Sequence, residues 1–400
     1  MRKILTALLG AAVGMALGLA ITRPQTIMVE ARAQAAASDP RQLDRFIAAF
    51  DRIHAGYVDQ LDQSDLIDAA IKGMVGALDS QSSYLDWKLF RDIQITHYFG
   101  PASLGMETIP EKGRVKVIAP IDETPAARAG LRAKDVITHI DGVPVERLTP
   151  HELVIDKTRG QVNTTVRLTI VREGEDKPLE LTLAREMMRL HAVRSRVDGG
   201  DIGYIRIRLL SDGTVQALGK AISELSSQIS ADRLKGYVLD LRNTPGGLLD
   251  AAVSTADAFL EEGEIVSVRG RTAEQIERFN ARPGDISDGK PLVILINAGT
   301  ASGAEIVAGA LQDHKRATVM GTRSFGRGSV QTIVPLGDRS GALRVTTARY
   351  FTPAGRSFDG TGILPDIEVP QDIPGNQEND KALTLAFELL RGTTAPHQTR

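Results

Sequence analysis

Two glycine-containing turns place a serine where a nucleophile could act. The turns, NTPGG at residues 243–247 and NAGTASG at residues 297–303, each follow an apolar run. Active clefts in open α/β sheets lie at the carboxyl ends of strands, so both turns are predicted to line one cleft. There Ser302 would expose its hydroxyl, and the amide of Gly303 would lie where an oxyanion forms. On spacing alone, Ser302 and Glu305 are better explained as a capping box that begins a helix.

The loop SFGRGSV at residues 324–330 carries one long cation, Arg327, between two glycines. Residues 321–326 match the front half of a phosphate-binding loop, which requires a lysine and then a hydroxyl to reach phosphate and magnesium. Arg327 and Gly328 stand at those two places, so the sequence argues against nucleotide binding. The chain contains seven histidines, and none forms a helix-face pair with a carboxylate. No metal site, no cofactor and no Ser-His-Asp triad is therefore predicted.

The elements that must position these residues fall into three regions. Apolar residues recur at helical spacing from Leu43 to Ile53 and again over residues 66–78, which predicts a small helical segment. Short β-branched runs over residues 98–187 predict a β-rich module with two short helices, one beginning at TPHE, residues 149–152. Such a module could bind a ligand at a strand edge. From residue 203 strands alternate with helices, which predicts an α/β or mixed α+β core.

Composition restricts the class of partner. The chain has 400 residues, of which 42% are hydrophobic and 24% charged, enough for two or three domains. A formal net charge of −2 and a single Trp provide neither a basic face nor a stacking platform, which argues against nucleic acid as a partner. The chain has no cysteine, so disulfides, thiolate metal sites and cysteine nucleophiles are excluded.

The N-terminus has the pattern of an export segment. Arg2 and Lys3 precede an apolar run over residues 4–21, and Ala31, Arg32 and Ala33 form a small-x-small pattern typical of a cleavage site. The run is about as long as the ~18 residues that span a bilayer, so an uncleaved anchor is the alternative. We expect residues 1–37 to be a signal peptide or membrane anchor with a linker. The body of the chain would then lie in the periplasm or cell envelope, or be anchored to the inner membrane.

Several segments resemble the carboxy-terminal processing peptidases, the tail-specific serine proteases. The matching segments are residues 236–249 (GYVLDLRNTPGGLL), 305–313 (EIVAGALQD), 347–357 (TARYFTPAGRS), 82–86 (SSYLD) and 362–366 (GILPD). They are collinear and extend from about residue 40 to residue 370. The resemblance implies a mixed α/β (α+β) protease core with an inserted β-rich PDZ domain and a small helical N-terminal segment. The expected domains are 40–95 (helical segment), 96–187 (PDZ domain), 188–372 (serine peptidase core) and 373–400 (C-terminal tail).

The resemblance also implies roles for individual residues. In the PDZ domain, Leu104, Gly105 and Met106 would form the loop that binds the free C-terminus of a peptide, although residues 100–102 depart from the family's glycine pair. In the core the family uses a serine–lysine dyad, and Ser302 stands at the place of the serine. The implied oxyanion donors are Gly303 and a glycine of the pair at residues 246 and 247, that is Gly246 or Gly247. Arg327 stands at the place of the lysine, and Gln331 at that of the supporting glutamine.

The arginine bears directly on the mechanism. A lysine base works because burial lowers its pKa until a neutral amine can take the serine proton, whereas an arginine side chain remains protonated in proteins. His314 and Lys315 would lie ~18–20 Å from Ser302 along the helix, too far to replace the base.

Two functions are therefore predicted. One is an exported serine endopeptidase that processes C-terminal tails of envelope proteins through a PDZ domain and a serine nucleophile. The alternative is a silent pseudoprotease that binds peptides as a regulator or scaffold. Besides the peptide tails, the candidate partners are a second copy of the chain, in a homo-oligomer, and an adaptor.

Overall fold

The computed structural model describes residues 40–79, 81–96, 102–111, 114–148, 157–187, 191–337, 339–370 and 380–393. Within these ranges the helices are α1 (Pro40–Gly56), α2 (Gln63–Gly76), α3 (Trp87–Thr96), α4 (Pro125–Arg128), α5 (Thr214–Gln228), α6 (Leu249–Asp257), α7 (Gly303–Asp313) and α8 (Lys381–Arg391). The predicted export segment, residues 1–37, and the helix predicted to begin at residues 149–152 lie outside the described residues.

The strands belong to a β-rich module and to the two sheets of the core. The module contains β2 (Ala102–Ser103), β3 (Met106–Glu111), β4 (Arg114–Pro120), β5 (Val136–Ile140), β6 (Val143–Pro144), β7 (Arg159–Gly160), β8 (Thr165–Val171) and β9 (Leu179–Ala184). One core sheet contains β10 (Val193–Asp198), β11 (Ile202–Ile207), β12 (Gly236–Asp240), β15 (Leu292–Ile296), β16 (Thr318–Gly321) and β19 (Ile367–Glu368). The other contains β1 (Ser83–Leu85), β13 (Glu264–Arg269), β14 (Ile276–Asn280), β17 (Ser329–Pro335) and β18 (Ala342–Phe351).

The N-terminal helices agree with the predicted helical segment. Helix α1 and the first half of α2 belong to a compact unit that ends at Ala69. The apolar stripe of α1 that the periodicity predicted is present, but Leu43, Phe46, Ile47 and Ile53 remain about half exposed. Over the described part of the chain, no helix is both long and apolar enough to cross a bilayer.

The β-rich module is a small sheet closed by short helical turns. Its strands follow the order β3-β4-β5-β8-β9, with β6 on β5, and all pairs are antiparallel. Apolar side chains from alternate positions, such as Leu104, Ile137 and Leu168, form its core. Within the described ranges β3 pairs on one side only, with β4. This leaves the strand that follows the predicted peptide-binding loop at an edge of the sheet, where a peptide could add.

The central core sheet explains why its strands read as continuous apolar runs. Its order is β10-β11-β12-β15-β16-β19, and every pair after β10–β11 is parallel. Helices α5, α6 and α7 cover one face, where Leu239 and Ile294 lie. Helix α8 covers the other face with Ala386 and Phe387, which pack near Val238. Strands covered on both faces are apolar throughout, so the predicted mixed α/β fold is confirmed. Helix α8 lies in the range predicted only as a tail.

The second core sheet carries the arginine loop. Its order is β1-β18-β13-β14, and β17 forms an antiparallel hairpin with β18. Residues 322–328 connect β16 to β17 and pass the start of α7, where Phe325 N–H donates to Thr300 O at 2.9 Å. The fold thus brings the SFGRGSV loop to the turn that contains Ser302.

Candidate active site

Ser302 lies between β15 and α7 in a rare backbone conformation. Its φ is 52° and its ψ is −118°, whereas residues other than glycine seldom adopt a positive φ. Strained conformations of this kind persist where the surrounding structure holds them, and they concentrate at active sites. The sequence predicted the serine and the helix start, but it contained no sign of this conformation.

Glu305 connects the serine to the arginine loop. Its side chain is fully buried, and its carboxylate accepts four hydrogen bonds. The donors are Ser302 N–H (2.8 Å), Ser324 Oγ (2.5 Å), Gly326 N–H (2.7 Å) and Arg327 N–H (2.8 Å). Burial raises the pKa of Glu305 to about 7, and the four hydrogen bonds oppose the increase. The capping interaction predicted for Glu305 is therefore present, and it also fixes the second loop.

The glycine turn at residues 246 and 247 comes close to the serine. A Cβ on Gly246 would lie 2.8 Å from Ser302 Cβ and 2.9 Å from Gly303 N, and φ of Gly246 is +106°. A Cβ on Gly247 would lie 1.9 Å from Leu210 O. Leu210 N–H donates to the Gly246 carbonyl, and the Leu210 carbonyl accepts from Leu248 N–H, both at 2.9 Å. These two hydrogen bonds do not involve the amide of Gly247. Only a glycine at position 246 permits this approach, so the turn brings its backbone next to Ser302, where an oxyanion site would be needed.

Arg327 has a carboxylate partner in the β-rich module. Its Nη1 lies 3.3 Å from Oε1 of Glu107, on edge strand β3, and its side chain is 27% exposed. Glu107 directly follows the predicted peptide-binding residue Met106. The cation at the position of the family's base is thus paired across the boundary between module and core. This pairing was not predicted from the sequence.

The hydrogen bonds that the described residues give Gln331 lie within the β17–β18 hairpin, and its predicted supporting role stays a prediction. Its Nε2 donates to Thr346 Oγ1 at 2.7 Å and to Ser329 Oγ at 3.2 Å, both within the β17–β18 hairpin. Its Oε1 is buried and accepts no hydrogen bond from the described residues. Gln331 therefore supports the hairpin.

The predicted peptide-binding loop is rigidly held through its carbonyl groups. Leu104 is buried, and its carbonyl accepts from Ala126 N–H at 2.9 Å. The carbonyl of Gly105 accepts from Ile121 N–H at 2.9 Å and from Thr124 Oγ1 at 2.8 Å. Gly105 has a φ of +75°, and a Cβ there would meet the Thr124 side chain. The loop is thereby fixed at the start of the open strand β3.

An ion-pair network behind the glycine turn is a feature that sequence reasoning missed. Arg206 donates to Asp240 O at 3.0 Å and to Thr244 Oγ1 at 2.9 Å, below the turn. Its Nε donates to Asp122 Oδ2 at 2.7 Å, in the β-rich module. The neighbouring Glu123 pairs with Arg208 and Arg194 of the core. The module is thus joined to the strand that supports the turn. The only sequence signal was the charged end of an otherwise apolar strand.

Asp240 should make the free energy of unfolding depend on pH in the acid range. Burial alone would raise the pKa of Asp240, but the charge and hydrogen bonds of Arg242, with the charge of Arg206, lower it from 3.8 to about 2. A lowered folded-state pKa stabilises the protein above pH 3.8, and this contribution, about 2 kcal/mol, is lost as pH falls through 2. We expect the difference in unfolding free energy between the native protein and Asp240→Asn to narrow by that amount between pH 5 and pH 2 in urea titrations. Exposed Asp250→Asn is the control, and an unchanged difference would contradict this assignment.

Among the described residues, no group of three or more His, Cys, Asp or Glu side chains could hold a metal ion. The arrangement is therefore one serine at a strained helix start, glycine amides beside it and an arginine nearby that is paired with a carboxylate. Together with the parallel sheet behind it, this arrangement is that expected of a serine hydrolase of the α/β type joined to a β-rich module.

Comparison with known proteins agrees with that class. Residues 201–369 match the model of peptidase family S41, residues 102–183 match a PDZ domain, and residues 8–88 match the N-terminal domain of the activating protease CtpB. The chain is 49% identical over 352 residues to a carboxy-terminal-processing protease of Bartonella bacilliformis, which covers 88% of this chain and 80% of that protein. A carboxyl-terminal-processing protease of Synechocystis sp. is 37% identical over 337 residues, 82% of this chain and 77% of its own length.

Among solved structures, the photosystem II D1 C-terminal processing protease is similar, with a TM-score of 0.69 and 29% identity. The similarity covers 81% of this chain and 92% of that one. The chain therefore belongs to the carboxy-terminal-processing proteases, serine-type peptidases of family S41 that carry a PDZ domain. The resemblance noted in the sequence is confirmed, whereas the individual site residues and domain boundaries stay predictions.

Proposed function

We propose that this protein binds C-terminal tails of envelope proteins through its PDZ domain and cleaves them with Ser302 as the nucleophile. One observation carries the proposal: Ser302 has a φ of 52° and lies against the glycine turn, where a Cβ on Gly246 would be 2.9 Å from Gly303 N. Such an arrangement presents a hydroxyl beside backbone amides. The open edge of β3 supports binding of the extended tail. A homo-oligomer or an adaptor stays a prediction.

A second candidate is a silent protein that binds tails without cutting them. The observation that favours it is the ion pair between Arg327 Nη1 and Glu107 Oε1, which holds a permanent cation at the position of the base. Losing a general base typically costs ~100- to 10,000-fold in rate.

Incubation of the purified protein with tail peptides distinguishes the two candidates. If the protein is a peptidase, we expect slow cleavage of the peptides that Ser302→Ala abolishes. Mass spectrometry of the products measures the cleavage. Binding without any cleavage that depends on Ser302 would support the silent protein and exclude the peptidase.

The PDZ domain should require a free C-terminus on its ligand. Loop amides at Leu104 and Gly105 would bind the carboxylate, and β3 would pair with the peptide backbone. We expect a fluorescent peptide with a free apolar C-terminus to bind the full chain, and amidation of that terminus to weaken binding at least ~10-fold, the loss expected for charge-assisted hydrogen bonds. Equal binding of free and amidated peptides would show that the carboxylate is not recognised.

Export is proposed from the N-terminal pattern of residues 2–33. A reporter enzyme that folds only outside the cytoplasm, fused after Ala37, should be active in a bacterial host. The double substitution Arg2→Glu and Lys3→Glu should reduce the activity of the reporter. A fusion that accumulates in the cytoplasm without reporter activity would exclude an exported protein.

A further inference from the structure

Arg344 is a largely buried cation that finds no hydrogen-bond or ion-pair partner among the described residues. It lies on β18, where it pairs with Ser83 of β1 and Ile333 of β17 in the strand register. Its Nε is buried and donates no hydrogen bond. Among the described residues no carboxylate forms an ion pair or hydrogen bond with its guanidinium. A buried guanidinium without a partner is costly, so such a group normally has a reason to be retained.

The side chain of Gln331 connects the segments that carry Arg327 and Arg344, because its Nε2 donates to Ser329 Oγ, two residues after Arg327, and to Thr346 Oγ1, two residues after Arg344. In agreement with this geometry, burial, and then the positive charge of Arg327, lower the pKa of Arg344. Gln331 Oε1 and Ser83 Oγ are also buried without partners in the described structure. Gln331 shares a sheet face with Arg344, because it bonds Thr346, two residues further along β18. One face of this sheet thus carries Arg344 and two polar atoms that the described residues leave without partners, and the loop of Arg327 leads into its strand β17.

The loop that carries Arg327 lies next to the nucleophile. The backbone N–H groups of Ser302 and Arg327 both donate to the same oxygen, Glu305 Oε2, at 2.8 Å each. The loop carrying Arg327 is therefore in direct contact with the start of α7. A ligand bound by Arg327 and Arg344 would lie beside the scissile bond of a peptide attacked by Ser302.

Glu107 shows the chemistry that this group attracts. Its carboxylate binds Arg327 and is 46% exposed, on the edge strand along which a peptide would add. It is the only carboxylate that pairs with either arginine in the described residues. One carboxylate for two cations leaves Arg344 uncompensated, and a guanidinium binds a second carboxylate through its planar array of donors.

We propose that Arg344 and Arg327 form a carboxylate-binding subsite beside Ser302 that takes an acidic group of the bound peptide. The carboxylate is either an Asp or Glu side chain near the cleavage position or the free C-terminus. The subsite rests on the proposed recognition of peptide tails, but it does not depend on turnover. Arg327 would then act as an anion-binding group, because its guanidinium stays positively charged, whereas a lysine base must be neutral to accept a proton.

Peptide binding to the full chain tests the subsite. The protein carries Ser302→Ala to prevent cleavage, and fluorescence anisotropy is measured at low ionic strength. One peptide series moves a single Glu along an otherwise neutral, amidated tail, and a matched series has Gln at the same positions. A third peptide is neutral with a free C-terminus. We expect Glu at one position to bind at least about 10-fold more tightly than Gln, as charge-assisted hydrogen bonds provide.

Substitutions then assign the preference to Arg344. Arg344→Gln should reduce the Glu-to-Gln ratio to about 1, and Arg344→Lys should keep part of it. Arg349→Gln is the control, because it removes an exposed arginine from the same strand that pairs with Asp359 instead. If Arg344→Gln weakens the neutral free-ended peptide but not the Glu series, the carboxylate is the C-terminus. If neither arm depends on Arg344, the subsite is wrong.

Chemical modification gives a result that does not depend on how the variants fold. Phenylglyoxal labels arginines, and mass spectrometry locates the label. The Glu peptide, or the free-ended one, should protect Arg344 and Arg327 at least several-fold, whereas neutral amidated peptide should not. Protection of neither arginine would overturn the subsite. Failure of every peptide to bind would instead overturn tail recognition, and the subsite with it.

Discussion

Replacing Arg327 with lysine should increase both fluorophosphonate labelling of Ser302 and tail cleavage by at least ~100-fold, the low end of a general-base contribution. The lysine would restore a titratable amine in a loop whose backbone is already fixed by Glu305. Because the amine must lose its proton before it can accept one from serine, the rate should rise with pH. Labelling is measured by gel fluorescence and cleavage by mass spectrometry.

Two variants separate this effect from a change in the loop. Arg323→Lys makes the same substitution at an exposed position of the same connection and should leave labelling unchanged. Arg327→Gln removes the charge without adding a base and should not activate Ser302. If the unmodified protein already cleaves tails rapidly, and Ser302→Ala stops it, then another group acts as the base. Glu305, whose pKa burial raises to about 7, would be the first to test.

Glu305→Ala should lower the free energy of unfolding by about 3–5 kcal/mol. The substitution leaves four donors without their acceptor in a fully buried place, and each unsatisfied buried donor costs ~1–3 kcal/mol before relaxation. It also releases the loop of Arg327 from the start of α7. Chemical denaturation followed by circular dichroism measures the loss at pH 7.

Glu277→Ala provides the matched control because Glu277 is exposed on β14. Its effect should stay within ~0.5 kcal/mol, as for surface substitutions in general. A loss below about 1 kcal/mol for Glu305→Ala would mean that the four hydrogen bonds contribute little, and that water can replace the carboxylate.

Much of the fold could be predicted because the buried strands form continuous apolar runs that are visible in the sequence. The apolar runs at residues 292–296 and 342–351 coincide with β15 and β18, in agreement with the predicted alternation of strands and helices. Helix α8 was not predicted, although its apolar residues recur at helical spacing in KALTLAFELLR, because its range was assigned to a tail. Strand β14 could not be predicted, because it is mostly exposed and lacks an apolar run.

The site was predictable in its residues but not in its contacts. Glycine turns and Ser302 could be found from their spacing and from the family resemblance. The pairing of Arg327 with Glu107, 220 positions apart in sequence, depends on how the module meets the core. The hydrogen bond from Gln331 to Thr346 was likewise not predicted, because it depends on the strand register of β17 and β18. Long-range partners of polar side chains are set by tertiary structure, which no local pattern encodes.

The ion pairs between the PDZ domain and the core restrict which PDZ domains could replace the native one in this protein. Arg206 and Arg208 are nearly buried, and their acidic partners Asp122 and Glu123 belong to the other domain. A PDZ domain grafted from a relative without this acidic pair would leave two cations of the core uncompensated directly behind the glycine turn. A PDZ domain that functions on this core should therefore carry acidic residues at the positions of Asp122 and Glu123. A substitution of either acidic residue should be tolerated only with a matching change at Arg206 or Arg208.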